Sequence, residues 1–135
     1  MFGFDLVLAC PKPYFPDESV LNRARERGGS KITLTNDPKE AVKDADVVNT
    51  DVWASMGMEN EAEERKKVFA PFQVNGELLK LAKEDVIVLH CLPAHRGEEI
   101  SEDVLEGPRS AVWDQSENKM HMHKAILETL VSGNF

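Results

Sequence analysis

Short apolar runs of strand length alternate with polar stretches of helical periodicity along the whole chain. Phe4–Cys10 (FDLVLAC) predicts a strand that stops at Pro11-Lys12-Pro13. Over Ser19–Arg27 the apolar positions Val20, Leu21 and Ala24 fall on one side. Asp17 or Ser19 can cap that segment and Gly28-Gly29 can end it, so it predicts a helix. Lys31–Thr35 (KITLT) is a short β-branched strand, and Asn36-Asp37-Pro38 opens another helix with its cap and first-turn proline. Ala45–Thr50 (ADVVNT) predicts a third strand. Residues 59–69 predict a charged helix, acidic at its start and basic at Arg65, Lys66 and Lys67, in keeping with the helix dipole. Asn75–Leu81 predicts a further helix, and Asp85–Leu89 (DVIVL) is the most continuous buried strand. Ser101–Leu105 resembles a short capped helix, Ser110–Trp113 a last strand, and His121–Val131 a closing amphipathic helix.

Strand alternating with helix predicts an α/β fold: a Rossmann-like, mainly parallel sheet flanked by helices, within a single domain over residues 1–135. In such sheets ligands bind beyond the carboxyl ends of the strands. Polar sequence gathers at those ends, in Asp51 to Gly57, His90 to Arg96 and Asp114 to Lys119.

The formal net charge of −8 argues against nucleic acid as a partner, which would need a basic face. It leaves room for a small anionic substrate held in a local cationic pocket. Cys10 and Cys91 lie far apart and form no CxxC pair, so neither a disulfide framework nor a zinc site is expected. With no basic leader and no apolar run of roughly 18 residues, the chain reads as a cytoplasmic protein without membrane contact.

The first loop, Asp51-Val52-Trp53-Ala54-Ser55-Met56-Gly57, sets a carboxylate and a hydroxyl four residues apart. They can converge on an ammonium group, or either can simply cap the next helix. In the second loop His90 and Cys91 are adjacent, and neighbours in a strand point to opposite faces. A Cys–His catalytic pair is therefore not expected, while the thiol and nearby carbonyls can line a polar pocket or Cys91 can be a small buried hydrophobe. Lys119, read as lying near a helix N-terminus, opposes the helix dipole and is better explained by a nearby anion. His121 and His123, two apart on a helix, do not share a metal-binding face. Glycine-rich nucleotide fingerprints are absent, and Trp53 and Trp113 read as packing residues.

Together these loops resemble the ornithine carbamoyltransferases of the carbamoyltransferase family. The resemblance rests on Asp51–Gly57 (DVWASMG) and on His90–Pro93 (HCLP) continuing into Ala94–Glu99 (AHRGEE). Leu34–Pro38 (LTNDP), Phe72–Asn75 (FQVN) and Glu117-Asn118 extend it over nearly the whole chain. It implies transfer of a carbamoyl group from carbamoyl phosphate to the δ-amine of L-ornithine, giving citrulline and phosphate, with no metal or organic cofactor. Asp51 would hold the α-amino group, and Ser55 and Met56 would complete the ornithine pocket. Cys91 and Leu92 would lie beside the reacting amine and the carbamoyl phosphate, and Lys119 would contribute to phosphate handling; Cys91 and Lys119 would carry catalysis. Ser55-Met56-Gly57 favours ornithine over putrescine, the alternative acceptor.

Two departures stand out. Lys119 replaces the arginine that normally follows Glu-Asn in this family, exchanging a bidentate fork for a point charge. The family's N-terminal domain, with its Ser-Thr-Arg-Thr-Arg phosphate loop, has no counterpart here. Neither does the strand that opens the ornithine domain and carries an ornithine-contacting asparagine. That strand would be central, so its loss leaves open strand edges. The expectation is pairing with a partner chain, such as a homodimer, or a rearranged sheet, and a chain inactive by itself or a non-catalytic binding module.

Overall fold

The computed structural model describes residues 3–27, 29–54, 57 and 59–133. Four short strands form: β1 (Leu6–Ala9), β2 (Ile32–Thr35), β3 (Val47–Thr50) and β4 (Ile87–His90). β1 pairs in parallel with β2, from Leu6 opposite Ile32 to Ala9 opposite Thr35. β3 pairs in parallel with β4, from Val47 opposite Ile87 to Thr50 opposite His90. The two pairs are separate sheets. The expected α/β class with parallel strands is what forms, but the rearranged sheet does not, since the pairs stay apart.

The helices follow their capping chemistry. α1 (Glu18–Glu26) begins at Asp17, whose carboxylate accepts the Ser19 N–H at 2.8 Å. α2 (Pro38–Val42) begins at Asp37, which accepts from Lys39 N at 2.9 Å, with proline at the position that needs no donor. After a 3₁₀ turn at Glu59–Glu61 come α3 (Ala62–Phe69) and a second turn at Ala70–Phe72. α4 (Gly76–Leu79) is capped by Asn75, and α5 (Glu102–Leu105) follows Ser101.

The C-terminal segment departs from expectation. Ser110–Trp113 is not a strand. Ser110 makes one parallel bridge to Val88, with Val88 N bonded to Arg109 O and Ala111 N to Val88 O, and the chain then turns helical. α6 runs without a break over Val112–Ser132. Val112 is fully buried against β4's neighbours, whereas Trp113, read as a packing residue, is about half exposed. From Met120 onward the apolar side chains of α6, Leu127 and Val131 among them, are largely exposed.

One core cluster holds the C-terminal half together: Val74, Leu79, Val86, Val88, Ile100, Val104, Leu105 and Val112. Burial on this scale contributes about 1.5–3 kcal/mol per large aliphatic side chain. The N-terminal half lacks its equal. Val7 of β1 is 43% exposed and Val47 of β3 is 48% exposed, unusual values for strands that open an α/β sheet. Residues of both strands line one open cleft of about 520 Å³.

Candidate functional site

β3 and β4 run in parallel, so their carboxyl ends deliver Asp51 and Cys91 to the same edge of the sheet. Cys91 Sγ donates to Asp51 Oδ1 at 3.2 Å, and the same oxygen accepts the Val52 N–H at 2.8 Å. Asp51 is exposed and caps no helix among the described residues, so its carboxylate faces the open loop region. From α6, Lys119 Nζ donates to the Cys91 carbonyl at 2.8 Å. Three of the residues singled out from the sequence thus converge around one thiol.

Lys119 does not sit at a helix N-terminus. Because α6 starts at Val112, Lys119 lies two turns in, beyond the reach of the terminal dipole. Its charge is met by the Cys91 carbonyl instead. The thiol between Asp51 and Lys119 is held above its ordinary range. Burial acts most, followed by its hydrogen bond to Asp51 and the adjacent carboxylate charge, with Lys119 pulling the other way. Cys91 is therefore a thiol at neutral pH and not an activated nucleophile.

His90 takes no part in that cluster. Its side chain turns inward, fully buried, as strand alternation requires. Nδ1 accepts the Leu92 N–H at 2.9 Å and Nε2 faces Glu99 Oε1 at 3.1 Å, which fixes the Nε2–H tautomer. Glu99 Oε1 also accepts the His95 N–H at 2.6 Å, and the His90 N–H donates to Gln115 Oε1 at 2.9 Å. The turn between them is held by Gln73, whose amide donates to the Gly97 and Glu98 carbonyls. This buried frame fixes Leu92 in a left-handed conformation, φ 58°, ahead of a cis bond to Pro93. Leu92 itself packs against the core cluster.

Below the Asp51 loop, Trp53 stacks on Phe69 with ring centroids 6.3 Å apart, in keeping with a packing role. Arg65 donates to the Trp53 carbonyl at 3.2 Å, pairs with Glu61 and lies over Tyr14. Ser55 and Met56, expected to complete the pocket, lie outside the described residues. His90, Glu99, Gln73 and Gln115 were not expected as a supporting network. Only the polar density of His90–Glu99 hints at it.

Two groups of side chains approach metal-ligand spacing: Asp51, His90 and Cys91, and His95, Glu98 and Glu99. In the first both His90 nitrogens are already engaged, and in the second Glu98 pairs with Lys66 at 3.0 Å. Neither offers three free donors. What the arrangement can do is simpler. An exposed carboxylate can take an ammonium group, a cation lies within reach of an anion, and a neutral thiol and backbone carbonyls lie between them. A protein nucleophile is lacking, so any group transfer here needs a nucleophile from the substrate.

Residues 1–130 match the model of the aspartate/ornithine carbamoyltransferase Asp/Orn-binding domain. The ornithine carbamoyltransferase of Geobacter metallireducens is 58% identical over 131 residues, 97% of this chain and 43% of that protein. That of Desulfotalea psychrophila is 61% identical over 93% of this chain and 42% of its own length. Among solved structures, ornithine carbamoyltransferase from Pyrococcus furiosus superposes with a TM-score of 0.87 at 54% identity, over 98% of this chain and 43% of that one. The chain thus spans a little over two fifths of the length of the relatives it matches.

Proposed function

The chain belongs to the aspartate/ornithine carbamoyltransferase family, and from that premise we propose that it supplies the amino-acid-binding half of an ornithine carbamoyltransferase. The observation that carries this reading is the convergence of Asp51, Cys91 and Lys119. Asp51 takes the α-ammonium of L-ornithine, and Ser55 and Met56 close the pocket around it. The thiol of Cys91 and the carbonyl of Leu92 orient the δ-amine. Lys119 supplies positive charge toward carbamoyl phosphate.

In this reading the neutral δ-amine attacks the carbonyl carbon of carbamoyl phosphate. A C–N bond forms, the C–O bond to phosphate breaks, and the amine's surplus proton leaves with the phosphate. Catalysis then consists of positioning the amine and stabilising the developing oxyanion and leaving group, with no cofactor. A Cys91 held as a thiol supports this division of labour, because a neutral thiol orients without attacking. Putrescine would leave Asp51 without an α-ammonium to hold, so ornithine is the acceptor we favour.

The phosphate-binding half lies in the part of the relatives that these residues do not span, and turnover is proposed to need it. Two free cysteines suit a reducing cytoplasm, and among the described residues no helix is long and apolar enough to cross a membrane. Two copies could associate through open strand edges, the alternative route to assembly. Calorimetric titration with L-ornithine tests the pocket. Binding that weakens at least tenfold in Asp51→Asn is expected, while equal binding in both proteins removes Asp51 from the site.

A further inference from the structure

The cleft between β1 and β3 has the hydrogen-bonding pattern of a place for one more strand. In a strand, successive residues aim their backbone groups at opposite neighbours. Leu6 and Cys10 donate to Lys31 and Thr35 across the β1–β2 ladder, so Val7 and Ala9 address the other side. Ile87 donates to the Asp46 carbonyl across the β3–β4 ladder, so Val47 and Asn49 address the side away from β4. All four of these residues line the same cleft. The only charged side chains on its wall are Asp51 and Arg65, both beyond the carboxyl end of β3.

We propose that this cleft receives a single extended, uncharged segment. It lies parallel to β1 and β3 and comes from the part of a family-length protein that the present 135 residues do not span. Insertion joins the two sheets into one and covers Val7 and Val47. A second copy of this chain cannot supply that segment intact. An inserted strand needs both edges free, and each of the four strands here already spends one edge on a partner. The superposition on the Pyrococcus furiosus structure agrees: the chain matches over 98% of its length with both strand pairs included, so the pairs sit apart as they do within a longer chain. The inference rests on backbone geometry alone and stands or falls separately from the ornithine reading.

Residue-resolved amide hydrogen exchange of the 135-residue chain tests it. The probe is the part of Pyrococcus furiosus ornithine carbamoyltransferase that the match leaves uncovered, added in excess as a separate polypeptide or co-expressed. The expected result is a one-to-one complex in which the amides of Val7, Ala9, Val47 and Asn49 exchange at least roughly tenfold more slowly, while those of Leu6 and Cys10 are already slow without it. A complex that leaves the four amides unchanged overturns the proposal, as does no complex at all. Protection that rises with concentration of the chain alone assigns the cleft to self-pairing and also overturns it. Val47→Pro removes one cleft-facing N–H without touching the β4 ladder, as a proline on an open edge can. It is expected to weaken the complex at least roughly tenfold, and unchanged affinity counts against insertion.

Discussion

His90 Nε2 lies 3.1 Å from Glu99 Oε1, and neither side chain has any exposed surface. The pair ties the end of β4 to the turn that follows it, and through Nδ1 it holds the amide of Leu92 as well. One buried carboxylate therefore sets the backbone on which Cys91 and Leu92 are presented.

Glu99→Ala is expected to destabilise the chain by roughly 3 kcal/mol, because it leaves a buried imidazole N–H and the His95 amide unpaired. Glu99→Gln keeps a carbonyl acceptor for His90 and should cost less. Denaturant titration of the three proteins measures the order. Equal stability of Glu99→Ala and the parent would mean that the frame does not hold the loop.

Cys91 gives a readout of local electrostatics. Asp51 helps hold its thiol above the ordinary range, through both the hydrogen bond and the carboxylate charge, while Lys119 lowers it. At fixed neutral pH, Asp51→Asn should therefore raise the thiolate fraction and speed iodoacetamide alkylation several-fold, and Lys119→Met should slow it. Cys10, raised by burial alone, serves as the internal reference in mass-spectrometric counting. Rates that move in the same direction in both variants would contradict the geometry.

The strand Ile87–His90 and the site residues Asp51 and Cys91 are legible in the sequence because each follows an apolar run that can only be a strand end. The supporting frame is not. Glu99 looks like one of two exposed acids until the turn around Gly97, φ 83°, folds it inward, and hydropathy does not report that turn. Ser110–Trp113 reads as a strand because Ala111, Val112 and Trp113 are contiguous and apolar. Only Ser110 reaches the β4 ladder, and Val112 is buried from a helix instead. The same misreading displaced Lys119 to a helix start it does not occupy. The separation of the two sheets follows from a strand without a counterpart here, so it is legible only through resemblance.

Gly107 closes α5 where a side chain has no room. A Cβ there would collide with the backbone carbonyl of Asp103 and crowd that of Val104 at 3.4 Å. Backbone cannot swing aside as a flexible side chain can, so Gly107→Ala should cost about 1–3 kcal/mol. A thermal melt checks it, with Gly29→Ala, which meets nothing within 4 Å, as the comparison expected to change little.

Lys66 and Lys83 bind their protons more tightly in the fold than in the free side chain, chiefly through hydrogen bonds to Glu98 and Asp46. A raised lysine pKa stabilises the fold fully below the ordinary value of 10.5, and that contribution fades as pH climbs through the raised value. Both ion pairs are exposed, at 3.0 Å for Lys66–Glu98 and 2.5 Å for Lys83–Asp46, so each effect is small and screened by salt. The melting temperature should therefore fall slightly as pH rises above about 10.5, and less steeply in Lys66→Met, Lys83→Met than in the parent. The Lys66 arm carries the more informative outcome, because Glu98 sits in the turn that precedes buried Glu99. If only Lys83→Met flattens the profile, the Lys66 bridge adds nothing to the loop, and the turn is held by Gln73 and the His90–Glu99 frame alone.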